Sequence, residues 1–252
     1  MILLINAANR DAFPDLMDDM FRIRHEVFVD LKGWEELRRS DGRETDPWDR
    51  ADAAYLLAVE GGRVLGGARF NSGAGPTLAG EILPELFAEA PPIGEDVLEM
   101  SRLFARSLET ARDLLSPVIS ELLVAAAELQ RIVGGRGALT IMELRLAQSL
   151  LAWGGHPEPL GLPRRTRDGV LVGVLSHATA LASRNLRRAR GMKGPAIWWA
   201  EGPDDPPRLY ADILRVDPVG ADWSPPDGFT PLERVHLAPE EMAEAFWRTR
   251  MR

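Results

Sequence analysis

Glu99 and Arg102 are the only charged residues in an otherwise apolar run, V-L-E-M-S-R-L-F-A from Val97 to Ala105. A run of this length and content suits a strand buried on both faces, where a lone charge is costly. In a regular strand the two would point to opposite faces, because side chains alternate and their spacing is odd. A bulge near Ser101 would add a residue and turn both toward one site. It would also release a backbone N–H to meet a carbonyl oxygen, as an oxyanion donor does. The competing explanation is a structural ion pair inside a sheet.

Further charges stand in apolar settings upstream. Met17, Phe21 and Phe28, with Phe13 and Met20 beside them, recur at three- and four-residue spacing over a helix predicted from about Asp11 to Phe28. Arg24 falls on that stripe and must meet an acid from elsewhere, since an unpaired buried guanidinium would cost about 3–5 kcal/mol. Arg69 lies near the end of a second apolar strand. Three acids, Glu44, Asp46 and Asp49, stand within six residues around Pro47 and Trp48. One shared cluster of these acids with Arg24, Arg69, Arg102 and Glu99 satisfies every charge at once. Set beside Phe28, Trp34 and Trp48, it reads as the lining of a cavity for a polar, partly cationic ligand.

Elements to position these residues are legible. Ile2 to Ile5 reads as a short strand. Tyr55–Val59 and Arg63–Phe70 form a hairpin across Glu60-Gly61-Gly62. Asn71 to Gly80 reads as a loop, and Ile82 to Phe87 as a short element. Pro117–Val133 is a long apolar helix ended by Gly134-Gly135. Ala138–Met142 is the next strand and Glu143–Trp153 the next helix. A second hairpin joins Leu160–Pro163 to Val170–Leu175, and His177–Arg190 is helical. Eight of the nineteen prolines follow Trp199, so the chain divides into a main domain, 1–198, and a Pro-rich extension, 199–252. Within the extension Leu209–Val216 suggests an edge strand and Ala238–Met251 a helix.

Composition excludes whole classes of function. There is no cysteine, hence no disulfide, thiolate metal site or cysteine nucleophile. Four scattered histidines lack metal spacing, and no metal site is expected. A net charge of −8 argues against general nucleic-acid binding. No apolar run spans a membrane and no secretory signal opens the chain, so a cytoplasmic protein is expected. No G-x-S-x-G elbow or P-loop is present. Between Gly169 and Ala200 there is no acid, while Arg184, Arg187, Arg188, Arg190 and Lys193 are basic. That stretch is either a docking patch for an acidic or phosphorylated partner or a solvated helix face.

The motifs carry a resemblance. R-x-x-x-F-V-x-x-x-G-W (Arg24, Phe28, Val29, Gly33, Trp34), E-x-D-x-x-D (Glu44, Asp46, Asp49), G-x-A-R (Gly66, Ala68, Arg69) and E-x-S-R (Glu99, Ser101, Arg102) are similar to the acyl-homoserine-lactone (autoinducer) synthase family. The order and spacing agree from about Phe21 to Ala105. Two departures concern substrate choice: R-F-N-S-G at Arg69–Gly73 replaces the family's R-L-x-P-T, and Leu83 stands where an aromatic is usual.

The resemblance implies an α/β fold like that of the GCN5-related N-acetyltransferases. This is a three-layer α-β-α sandwich whose twisted mixed sheet, largely antiparallel, is splayed at a bulged central strand. It implies quorum-sensing signal synthesis: acyl transfer from acyl carrier protein or acyl-CoA to the amine of S-adenosylmethionine, then lactone closure and release of 5′-methylthioadenosine. S-adenosylmethionine is then a substrate, and no cofactor is expected. Arg24, Phe28, Trp34, Asp46 and Asp49 would bind it, and Arg69 and Arg102 would hold its carboxylate or fix the acids. Glu99 would serve as base. Arg184, Arg187, Arg188 and Lys193 would dock the acyl donor. Two alternatives are an acyl-CoA N-acyltransferase of the same fold acting on another amine, and a catalytically silent binder of a nucleotide-like ligand.

Overall fold

The computed structural model describes residues 1–106, 116–205, 208–210 and 231–232. Its centre is a mixed sheet of eleven strands. The spatial order is β11 (Pro231–Leu232), β10 (Arg208–Tyr210), β9 (Ile197–Trp199), β1 (Ile2–Ile5), β2 (Ala54–Glu60), β3 (Arg63–Ser72), β4 (Val97–Ala105), β5 (Gly137–Glu143), β8 (Gly169–His177) and β6 (Pro157–Pro159), with β7 (Arg164–Thr166) also on β8. The pairs β1–β9, β4–β5 and β10–β11 are parallel and the rest antiparallel.

Alternation along the strands sorts side chains into two cores. Ile2, Leu4, Leu56, Ala68, Leu98 and Val174 pack beneath α3 (Pro117–Ile132), α4 (Leu144–Ala152) and α5 (Ala180–Ala189). Leu3, Ile5, Tyr55, Leu57 and Val64 face α1 (Pro14–Arg24) on the other side. A third cluster, with Ala79, Leu86, Val97, Leu139 and Leu175, lies under α2 (Leu78–Ile82) and the turn after it. This is the expected three-layer arrangement.

Several element limits differ from the sequence reading. Pro14 occupies the first turn of α1 and fixes its start, because its missing N–H costs nothing there; Arg10–Ala12 forms a separate 3₁₀ turn. After Arg24 the helix widens into a π segment, His25–Leu31, and leaves through Gly33 at φ +70°. The hairpin turn is as expected, with Gly61 and Gly62 both at positive φ. The stretch Asn71–Gly80 is not wholly loop: β3 runs through Ser72, and Thr77 caps α2 by accepting from the Gly80 N–H. In the second hairpin the first strand, β7, begins at Arg164 and not at Leu160, while β8 contains the expected Val170–Leu175.

The boundary between 198 and 199 falls inside β9, and β10 pairs antiparallel with it, so the start of the extension continues the sheet. The predicted strand Leu209–Val216 is described only to Tyr210, and the predicted helix Ala238–Met251 lies outside the described residues.

Candidate active site

The site begins where two parallel strands part. Register between β4 and β5 ends at Glu99 opposite Leu139. Beyond that point a cavity of about 200 Å³ opens between Glu99–Leu103 on β4 and Thr140–Glu143 on β5, walled by Phe28, Lys32, Trp34, Leu78 and Asp168.

A bulge decides which side chains reach this cavity. On β3, Gly67 pairs with Phe104 and Arg69 with Ser101, so Arg102 and Leu103 together oppose Ala68. The distortion sits one residue beyond Ser101, and Arg102 adopts φ 52°, the only non-glycine residue at positive φ among those described. Its consequence is visible in the cores. Before the bulge the even-numbered Leu98 and Met100 pack under α3, whereas after it Phe104 packs under α1 and the odd-numbered Ala105 under α3. Glu99 and Arg102 therefore share one face, as the sequence anticipated.

They do not form an ion pair with each other. Glu99 is buried and its carboxylate accepts from the α2 backbone, from Ala79 N at 2.7 Å and Leu78 N at 3.0 Å. Burial pushes its carboxyl above the ordinary glutamate range, opposed by those two donors. Arg102 instead turns to the acids, 3.1 Å from Glu44 and 2.6 Å from Asp46, and lies over Phe28 at 5.4 Å and Trp34 at 5.3 Å. Those two rings stack at 5.0 Å.

Behind Arg102 the remaining charges interlock. The Arg24 guanidinium donates to Glu44 at 2.5 Å and to both oxygens of Asp49 at 2.7 and 2.9 Å. Arg69 donates to both oxygens of Asp46, at 2.5 and 3.1 Å, and to Ser101 Oγ at 3.1 Å. It also lies 3.0 Å from Asp49, which accepts from the Tyr55 hydroxyl at 2.9 Å. Burial alone would raise the Asp49 pKa, but Arg24 and Arg69 overcome it and hold the carboxyl well below the usual range. Three guanidiniums and three carboxylates thus neutralise one another.

The cluster is one, but its members differ in access. Phe28, Trp34, Glu99 and Arg102 line the cavity. Arg24, Asp46, Asp49 and Arg69, expected among the binding or catalytic groups, do not line it; their side chains are at most 7% exposed. The reason is satisfaction of charge: buried guanidiniums draw the acids inward, and only Arg102 carries the cluster to the cavity wall. No group of three or more acids and histidines arranged to hold a metal occurs among the described residues.

Comparison with known proteins places the chain in a family. The autoinducer synthase family model matches residues 10–171. The chain belongs to the autoinducer synthase family. An isovaleryl-homoserine lactone synthase of Bradyrhizobium diazoefficiens is 37% identical over 165 residues, covering 65% of this chain and 73% of that one. An acyl-homoserine-lactone synthase of Acinetobacter baumannii is 30% identical over 148 residues, 56% of this chain and 80% of that relative. A solved CoA-dependent acyl-homoserine lactone synthase, BjaI, with SAM and isopentyl-CoA, superposes with TM-score 0.71 at 31% identity, over 86% of this chain and 98% of its own. A second CoA-dependent synthase, MesI, gives 0.70 at 28% identity, over 78% and 98%.

Outside the matched motifs, this family member separates what the sequence grouped. Arg184, Arg188 and Lys193 are exposed on and just after α5. Arg187 is not part of that face: it is buried and donates to Glu128 of α3 at 3.1 Å, because the helix turns it toward the core. Asp168 and Lys32, which line the cavity, were not singled out from sequence. Asp168 looks like an ordinary turn residue, and its partner Trp34 is 134 positions away. Among the described residues no helix is long and apolar enough to cross a membrane.

Proposed function

We propose that this chain is an acyl-homoserine-lactone synthase in which the β4–β5 cavity holds S-adenosylmethionine and receives an acyl thioester beside Glu99. The observation that carries the reading is that Glu99 and Arg102 line one cavity at the parting of the two strands. Phe28 and Trp34 present aromatic faces suited to the sulfonium cation. Arg102, held by Glu44 and Asp46, is placed to attract the substrate carboxylate. Arg24, Arg69, Asp46 and Asp49 act one layer back by fixing Arg102 and Ser101.

The reaction needs a neutral amine. Glu99, with a proton affinity raised by burial, takes the ammonium proton directly or through water. Amine nitrogen then attacks the thioester carbon while backbone N–H groups past Glu99, where β5 no longer pairs with β4, polarise the carbonyl. The N–C bond forms, the C–S bond breaks, and the thiol leaves. In the second step a carboxylate oxygen attacks the γ-carbon, the sulfonium C–S bond breaks, and neutral methylthioadenosine departs. Holding these atoms in place lowers the barrier by roughly 7–11 kcal/mol, so no further nucleophile is required.

The donor is an acyl-CoA or an acylated carrier protein; the CoA-dependent relatives favour the former. Exposed Arg184, Arg188 and Lys193 are its proposed docking charges, and a donor KM that rises with salt would support them. A smaller cavity of about 40 Å³, sharing Met100, Thr140 and Met142 with the larger one and otherwise mostly apolar, suits the acyl end. The reaction takes place in the cytoplasm, where its substrates are made. Mass spectrometry of organic extract from cells expressing the chain tests the proposal. An acyl-homoserine lactone absent from control cells supports it and identifies the acyl group; an extract without one refutes it.

A further inference from the structure

Two remote pieces of chain meet at the wall of the cavity. Trp34 follows Gly33 at the exit of the π segment, and its indole Nε1–H donates to Asp168 Oδ1 at 2.6 Å. Asp168 occupies the turn between β7 and β8, and its own N–H donates to Thr166 Oγ1 at 3.1 Å, which fixes the turn. A second tie links the same pieces, since Arg167 donates to Glu36. The Trp34 ring is thus held by the Phe28 stack, by Arg102 on a face and by a carboxylate at its edge.

Asp168 is only about a fifth exposed and itself lines the cavity. A hydrogen bond from an indole N–H to an anion is stronger than one to a neutral acceptor, and it leaves the ring electron-richer. A ring so held presents a fixed, more negative face to a cation. Asp168 sits outside the Arg102 cluster: its Oδ2 lies 3.6 Å from Arg167, and its Oδ1 is left to the indole N–H.

We infer that Asp168 is a positioning residue for the cationic substrate: it orients Trp34 through the Nε1–H bond and sets how well the aromatic wall accepts a sulfonium. This rests on the proposed binding of S-adenosylmethionine. Since Asp168 acts through Trp34, its effect belongs in KM for that substrate and must vanish when the indole N–H is absent.

The test is a double-mutant cycle on methylthioadenosine release, with Asp168→Ala, Asp168→Asn, Trp34→Phe and the combinations. Asp168→Ala should raise KM for S-adenosylmethionine about tenfold with kcat within about twofold, the size of a lost charge-assisted bond. Asp168→Asn keeps an acceptor oxygen and should lie between, at about threefold. In the Trp34→Phe background either change should add less than about twofold. An unchanged KM in Asp168→Ala, or fully additive effects with Trp34→Phe, would overturn the inference. If Asp168→Ala does not fold, the same-sized Asp168→Asn carries the cycle alone. A wild-type protein that releases no methylthioadenosine refutes the synthase reading and this inference together; wild-type turnover with an uncoupled cycle refutes the inference only.

Discussion

Two buried ion networks lie on opposite faces of the sheet, and only one of them reaches a cavity. On the α3 side Glu128 accepts from Arg187 at 3.1 Å and from the Ala196 and Ile197 N–H groups at 2.8 and 3.2 Å. It thereby joins α3, α5 and β9, and it lines none of the cavities described. On the α1 side, three guanidiniums and three carboxylates make a comparable closed set, yet Arg102 extends to the wall where Glu99 also stands. Burial and pairing are thus alike in the two. What distinguishes them is the bulge, which turns one member of the second network toward open space.

The contrast can be broken most forcefully at Glu99, a buried acid on the cavity wall that is held by backbone N–H groups instead of by a guanidinium. Glu99→Gln should lower kcat by about 10²- to 10⁴-fold, the usual contribution of a general base, and cost about 1–3 kcal/mol of stability, because the amide NH2 cannot accept from an α2 N–H. Unchanged turnover in a steady-state assay would remove Glu99 from the mechanism.

On the opposite face the expected loss is one of stability. Glu128→Ala removes the buried carboxylate that accepts from Arg187 and from the Ala196 and Ile197 N–H groups, and should cost about 3–5 kcal/mol in denaturant unfolding. The fraction that remains folded should keep its KM for S-adenosylmethionine within about twofold, because Glu128 does not line that cavity. A large KM shift would mean that the two networks are coupled through the sheet.

Asp49→Asn tests the interior of the first network, and about 1–3 kcal/mol of stability should be lost at pH 7. The sign with pH follows from its depressed folded pKa. The Asp49 contribution is complete above the unfolded value of 3.8 and disappears as pH falls through the folded value, so the gap between wild type and variant should close in acid. Glu99 has the opposite sign. Its raised folded pKa means that its contribution is greatest below the unfolded value of 4.5 and declines as pH rises through the folded value. The acid limb of kcat/KM should accordingly lie above pH 4.5, and a limb at or below that value would contradict Glu99 as base.

Much of this arrangement was legible in the chain itself. Arg24 on an apolar stripe demanded an acid, and Glu44 and Asp49 supply it; the odd spacing of Glu99 and Arg102 meant that only a bulge would bring them to one face, against the competing reading of a plain ion pair, and the strand has the bulge. Charge in an apolar setting is a strong signal because it must be answered within the fold. The depth of each group was less legible. Arg24, Asp46, Asp49 and Arg69 are motif residues as Arg102 is but stand behind it, and Arg187 reads like Arg184 and Arg188 although one helix turn conceals it. The contact between Trp34 and Asp168 left no trace at all, since a turn aspartate needs no partner and nothing local announces a ring 134 residues away.

The most direct test of the whole account is methylthioadenosine release by the purified chain, given S-adenosylmethionine and an acyl thioester separately and together. Release only when both are present is the predicted result. Release from S-adenosylmethionine alone at the same rate, or none with both, would contradict a cavity built to join the two.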